Sequence, residues 1–355
     1  MRLLILSQEG EGCDKRVWSW NAWKSENVLY RFECSFSNVP IYYKGKCNTE
    51  GIIEELKEFI LRARMYGVQN QFAITEICYD YNGNSLNCEQ MQKVMIAFDN
   101  LLMNMSEGEI RNHKGTTYLE AKRNEKRSVK YKSIFDCKLP DFFFEDTSDI
   151  KNLFYEIYLY LLKIYSLYNE HTIEPMDKIR KLFEFMTGEI DLFLGYEFYM
   201  GVMLFIGVNN EKDIAKGIFK PRQCPELHHI LNSTIDIFQY RMICFISDFF
   251  ASIGNPQNVY FVTLDECLQE YIEHNVTYNT VISSNMITPI NEFMVRIDGK
   301  YEAEWREFYN AVYEPRLYER YIQSHMMELD DAQRDEIHER IINNIIELEK
   351  IVLTI

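Results

Sequence analysis

Val259-Tyr-Phe-Val-Thr-Leu-Asp-Glu-Cys-Leu-Gln-Glu-Tyr-Ile272 is the stretch on which the fold turns. Four apolar or β-branched residues, Val259 to Val262, predict a short buried strand. Thr263 and Asp265 stand just past its C-terminal end. Leu268 and Ile272, four residues apart, then open a helical face. In open α/β sheets, ligands collect at the carboxyl ends of strands, so Asp265 is a candidate site residue. Thr263 or Asp265 is equally suited to cap the helix that follows.

Two apolar helices precede this stretch. Residues 191–206 (DLFLGYEFYMGVMLFI) carry one interior acid, Glu197, four residues before Gly201. Residues 231–246 (LNSTIDIFQYRMICFI) carry Asp236 in the first turns and Arg241 one turn on, placed to pair with a carboxylate. An ionised carboxylate on an apolar face is costly unless it is paired or bound to a metal.

The chain has 355 residues, enough for one large domain or two smaller ones. Its 47% hydrophobic and 14% aromatic content predict a folded globule. A net charge of −16 argues against a protein that coats DNA, while leaving room for a local basic patch. Nine cysteines with no C-x-x-C pair suit reduced thiols in a cytoplasmic setting. Residues 1–10 are unlike a signal peptide, and no uncharged apolar run reaches the ~18–20 residues of a membrane span.

Before these helices, Met1–Gln8, Val28–Ser35 and Val39–Tyr43 predict strands, and Thr49–Tyr66 an amphipathic helix. Trp18, Trp20 and Trp23 read as local packing. Gln71–Tyr79 predicts a further strand ending at Asp80-Tyr-Asn82, where Asp and Asn are also ordinary turn residues. Helices are expected over Cys88–Met105, Ile150–Tyr168 and Met176–Met186.

Residues 111–132 hold eight basic side chains against two acidic ones. Lys122, Arg123, Lys126, Arg127 and Lys130 form its centre, a candidate grip on phosphates or else a solvated face complementing the acidic surface. Residues 136–149 are acidic around three phenylalanines but lack the Asp-Asp-x-x-Asp spacing of an aspartate-rich metal motif. Residues 208–230 read as a polar connection ending in His228-His229, without a zinc-like ligand set. The Arg222…His228 spacing resembles the Arg-x-His element of the HEPN ribonucleases, with Pro225 falling inside it.

After residue 275 the chain turns polar. Asn275–Pro289 is expected to be loop, Phe293–Arg296 a last strand closed by an Asp298-Gly299 turn, and Glu302–Tyr313 and Tyr318–Met327 helices. In Asp330–Ile355, residues Ile337, Ile341, Ile345, Leu348 and Val352 share one helical stripe. That stripe suits the chain's own core, a protein partner or half of a homodimer interface.

Asp80-Tyr81-Asn82, Glu197-Phe-Tyr-Met-Gly201, Asp236 and Val262-Thr263-Leu264-Asp265 stand in the order of a known pattern. In these motifs the chain resembles the PIN-domain family of metal-dependent ribonucleases. The resemblance implies an α/β fold: a PIN-like parallel sheet flanked by helices. The core would span 71–275 with a helical insertion at about 88–190. A β-rich segment, 1–70, would precede it and a mainly helical extension, 276–355, would follow. It implies that Asp80, Glu197, Asp236 and Asp265 hold Mg2+ or Mn2+, with Thr263 and Asn82 in support. The Met1–Leu6 strand, with Glu9 or Asp14 as its acid, is the alternative first strand. Clustered carboxylates suit hard divalent ions, which activate water and stabilise charge on a phosphate. The expected activity is endoribonuclease cleavage of RNA, of toxin or defence type, with the basic segment steering RNA. The competing class is a non-catalytic helical interaction protein that keeps a degenerate nuclease core. In a third class, a terpene-synthase-like enzyme, the aromatic helices fit but the β-rich N-terminus does not.

Overall fold

The computed structural model describes residues 4–9, 14–19, 31–33, 57–61, 63–64, 68–69, 74–75, 78–99, 103–112, 132–143, 148–222, 225–252, 259–263, 266–283, 286–319 and 331–353. The chain forms two compact units. The first comprises Met1–Lys130, Phe135–Asp146 and Gln239–Gln269, the second Tyr131–Ile134, Thr147–Phe238 and Glu270–Ile355.

The first unit is built on a five-stranded sheet. In chain order its strands are β1 (Leu4–Glu9), β2 (Asp14–Ser19), β3 (Arg31–Glu33) and β4 (Val68–Gln69). The fifth strand comes from much later in the chain. The Val259 run forms it, as its composition predicts, over Val259–Thr263. Two short strands intervene, β5 (Tyr79–Asp80) and β6 (Ser85–Leu86), so the Val259 strand is β7. The spatial order is β2-β1-β7-β3-β4, which makes β7 central. β1 lies antiparallel to β2 and β7, with Leu4 opposite Thr263; β3 is parallel to β7 and β4.

This corrects the expected PIN-like parallel sheet. The sheet is mixed, and the other described residues are mainly helical. Only four residues join β1 to β2, too few for the crossover that parallel strands require, so the pair closes antiparallel. The expected Gln71–Tyr79 strand is also corrected. Ile74, Thr75 and Cys78 are helical, and Asp80 sits on the separate two-stranded pair β5–β6. Asn82-Gly83-Asn84 supplies turn chemistry, and a tight turn folds β6 back on β5 where a PIN fold would send the chain into a helix.

The same unit carries α1 (Cys88–Asp99), α2 (Glu107–Asn112), a 3-10 turn at Ile134–Asp136 whose last two residues belong to it, and α3 (Leu139–Phe143). Ser106 caps α2 in a reciprocal box: its hydroxyl accepts the Glu109 N–H, and the Glu109 carboxylate accepts the Ser106 N–H at 2.7 Å. Arg111 on α2 pairs with Glu58 and Glu107, both at 2.7 Å, so the start of the basic segment is engaged in structure. Among the described residues Cys78, Cys88, Cys137 and Cys267 form no disulfide.

The second unit is helical. It holds α4 (Ser148–Asn169), α5 (Pro175–Glu184) with a π turn at Phe185–Glu189, α6 (Gly195–Ile206) and α7 (Asn209–Phe219). α8 (Leu227–Ser252) and α9 (Glu266–His274) each contribute residues to both units. The hairpin β8–β9 (Asn275–Ser283 and Met286–Phe293) follows, where sequence predicted loop. Thr, Val and Ile in 276–290 outweigh the Asn and Ser that suggested otherwise. Then come α10 (Glu302–Phe308), a π turn at Tyr309–Tyr313, and α11 (Asp331–Val352).

Every residue of α6 from Tyr196 to Ile206 is buried, as befits a helix apolar on all sides. Around it Phe183, Phe193, Phe198, Phe308 and Tyr313 pack with ring centroids 5.3–5.9 Å apart, pairs worth about 0.5–1.5 kcal/mol each beyond area burial. The α11 stripe faces inward: Ile341, Ile345, Leu348 and Val352 are buried, and α11 packs on α4. No helix among the described residues is long and apolar enough to cross a membrane.

Candidate functional site

Each sequence-derived acid has a distinct setting. Asp80 builds its own turn. Its Oδ1 accepts the Asn82 N–H at 2.9 Å, and a Cβ at Gly83 would lie 2.7 Å from its Oδ2. Asn82 is exposed. Asn84, with φ 48°, fastens the turn to residues 136–138: its Nδ2 donates to the Asp136 carbonyl and its Oδ1 accepts the Lys138 N–H, both at 2.8 Å. The Tyr79 hydroxyl also donates to Asn84 Oδ1 and lies 3.4 Å from the Cys137 sulfur. Burial pushes the Cys137 thiol up.

Glu197 lies in the first turn of α6, 0% exposed. Gly201, the other half of its motif, has a packing role. A Cβ there would come within 2.5 Å of Leu182 Cδ2 on α5, so the glycine lets the two helices approach. Asp236 on α8 is a quarter exposed and lies 4.0 Å from the Lys220 ammonium. Lys220 ends α7 in the left-handed region, φ 47°. Thr263 ends β7. Asp265 lies outside the described residues, as do Lys122, Arg123, Lys126, Arg127 and Lys130.

Asp80 belongs to one unit, Glu197 and Asp236 to the other. Among the described residues, no three His, Cys, Asp or Glu side chains gather so as to hold a metal ion. The rings of His228 and His229 lie 3.9 Å apart, tilted by 40°. His228 pairs with Glu226 at 3.1 Å, and His229 Nδ1 accepts the Glu226 N–H.

One buried cluster of titratable groups in the second unit is one that sequence reasoning passed over. Glu211, in the first turn of α7, is 0% exposed. Its Oε1 accepts from Arg296 Nε and its Oε2 faces His274 Nε2, both at 2.9 Å. His274 immediately precedes β8 and Arg296 closely follows β9, so one carboxylate grips both stems of the hairpin. The backbone reinforces the grip. Met294 N–H donates to the His274 carbonyl at 3.3 Å, Val208 N–H to Arg296 at 3.0 Å and Asp298 N–H to Ile206 at 2.9 Å. A signal for it existed: Glu211 shares the helical face of Ile214, Ala215 and Ile218, where an acid needs a partner.

Nearby, Lys212 is pushed below its ordinary value, first by burial and then by Lys300. Burial also pushes down Lys163, whose ammonium sits 4.2 Å over the Phe185 ring.

No protein-family model, curated protein or solved structure matches the chain.

Proposed function

We propose that the protein is a non-catalytic interaction module that binds an extended, uncharged segment of a protein partner along the β8–β9 ribbon. One observation carries this reading. Residues 275–293 contain a single charged side chain, Glu292, in a chain that is 26% charged. Among the described residues β8 and β9 pair only with each other, and strand addition would use the outer edge of either. Natural edge strands are usually blunted with charge or proline; β9 has Pro289, but β8 has neither. Such an edge suits strand addition, in which main-chain hydrogen bonds supply affinity. The degenerate nuclease core is not retained in this reading, since the sheet is not PIN-like.

The test is selection from a random decapeptide library on the immobilised full chain, with counter-selection on Thr280→Pro. Enrichment of uncharged, β-branched peptides that the variant fails to hold supports the reading. Enrichment of charged or amphipathic helical peptides, or binding indifferent to the variant, overturns it.

A metal-dependent ribonuclease is the second reading, favoured by Glu197, a fully buried acid in an otherwise apolar helix. Magnesium or manganese held by carboxylates would activate water for the cleavage. Incubation of RNA with either ion decides it. Cleavage that is lost in both Glu197→Gln and Asp236→Asn supports this reading; inert wild-type protein removes it.

A further inference from the structure

We propose that Glu211 Oε2 and His274 Nε2 hold a divalent metal ion of the zinc class, which braces the base of the β8–β9 hairpin. The starting point is an unsatisfied atom. Glu211 is 0% exposed, and among the described residues its Oε2 has no hydrogen-bond partner. His274 Nε2 lies 2.9 Å away, yet the two make no hydrogen bond. A buried carboxylate oxygen in that state is rare and costly, and it marks a place for water or an ion.

Geometry favours the ion. Zinc-like ions hold imidazole nitrogen and carboxylate oxygen at about 2.1 Å, and two donors 2.9 Å apart then subtend about 90° at the metal. That is the angle between neighbouring ligands of an octahedral ion. A water hydrogen-bonded to both atoms from about 2.8 Å would see them about 60° apart, far closer than its two O–H bonds point. One imidazole nitrogen with one carboxylate oxygen suits zinc, cobalt or nickel better than magnesium or calcium, which take oxygen throughout.

The surroundings orient both ligands. The Glu270 carbonyl oxygen lies 2.6 Å from His274 Nδ1 and takes its N–H, the tie that commonly fixes a metal-bound histidine and turns its lone pair out at Nε2. Arg296 Nε donates to Glu211 Oε1 at 2.9 Å, which holds the carboxylate in place and leaves Oε2 to the metal. Two side chains contribute, so water and backbone carbonyls complete the shell, and the partly exposed His274 is the side from which water enters. The Arg296 charge opposes the ion, so binding is weaker than at a closed structural zinc site. The ion joins α7 to the residue that enters β8, and two-stranded ribbons are marginal without such support. The site does not depend on what the ribbon binds.

The test uses the full chain, stripped with a chelator and titrated with Co2+ alone. NMR reads paramagnetic shifts at the Met294 and Val208 N–H groups, which donate to the His274 and Arg296 carbonyls. The nine cysteines offer cobalt other places to bind, and these two local amides tell the sites apart. The proposal requires both amides to shift, zinc to reverse the shift, and the affinity read there to fall at least about tenfold in His274→Ala and in Glu211→Gln. Glu211→Gln keeps an oxygen for Arg296, and His274→Ala removes a partly exposed ring, so the second decides if the first does not fold. Unmoved amides at saturating cobalt overturn the site. So does an affinity unchanged in His274→Ala, or reversal by magnesium as effective as by zinc.

Discussion

The Tyr158 hydroxyl donates to the Glu349 carboxylate at 2.8 Å, across 191 residues of chain. The same oxygen accepts the Ile134 N–H at 2.7 Å. Glu349 is 3% exposed and lies beside the apolar stripe of α11, so α11 is locked onto α4 by polar bonds as well as by burial. Removing the acceptor leaves two buried donors. Glu349→Ala should destabilise the second unit by on the order of 3 kcal/mol, and Tyr158→Phe by about 1–2 kcal/mol. Thermal unfolding of the two variants checks the ranking; equal effects would mean that the Ile134 bond contributes nothing.

Two glycines of the second unit should respond differently to a methyl group. At Gly201 the new Cβ would meet the Leu182 side chain at 2.5 Å. Leu182 is fully buried and has little room to turn away, so Gly201→Ala should cost about 1–3 kcal/mol. At Gly207 the Cβ would lie 2.6 Å from the Met203 carbonyl oxygen and 2.7 Å from Glu211 Cβ. Backbone cannot swing aside, and the turn that aims Glu211 would have to shift. Gly207→Ala should therefore be the more damaging variant, and it alone should lower hydrogen-exchange protection at Met294.

Alkaline stability should be governed by two tyrosines. Burial raises the phenols of Tyr165 and Tyr313 above their ordinary value, Tyr313 further through Tyr199. Above about pH 10 the unfolded chain loses these protons while the folded chain keeps them, so stability falls as pH rises. The slope is about 1.4 kcal/mol per pH unit for each tyrosine. Lys163, Lys178 and Lys212, pushed down by burial, act in the opposite sense below about pH 10.5 and contribute no slope above it. Denaturant titrations from pH 10.5 to 12 should show a shallower decline in Tyr313→Phe than in wild type. An identical slope would remove Tyr313 from the account.

Where periodicity is strong, the structure follows the sequence. The Val259 run becomes the central strand, and the α4, α6 and α11 patterns become helices within a few residues of their expected ends. Strand partners are a different matter. β7 and β1 are more than 240 residues apart, and nothing local in either fixes their antiparallel register. The motif residues did not bring a PIN-like sheet with them, and several have an ordinary structural use. Gly201 serves helix contact, Asp80 serves a turn, and Asp236 faces Lys220 at the surface. Glu211 was passed over because Asn209-Asn210 and Lys212-Asp213 around it read as a polar connection, hiding the helical face it shares with Ile214 and Ile218.

The turn after β5 gives the most direct check on the role of Asp80. If Asp80 is a turn residue, what matters is its acceptor oxygen, not its charge. Asp80→Asn keeps an acceptor for the Asn82 N–H and should cost under about 1 kcal/mol. Asn84 carries more. Its side chain joins the Asp136 carbonyl, the Lys138 N–H and the Tyr79 hydroxyl, and its backbone has φ 48°. Asn84→Ala loses those bonds and with them the local polar contacts that let a residue with a β-carbon hold the left-handed region, so it should cost about 3 kcal/mol or more. Asn84→Gly loses the bonds but relieves the backbone, and should recover about 1 kcal/mol of that. The order Asp80→Asn, Asn84→Gly, Asn84→Ala in rising cost, measured by urea unfolding, is what a structural turn requires. A metal ligand at Asp80 would give a different result: Asp80→Asn would abolish any magnesium- or manganese-dependent stabilisation while leaving the metal-free protein unchanged.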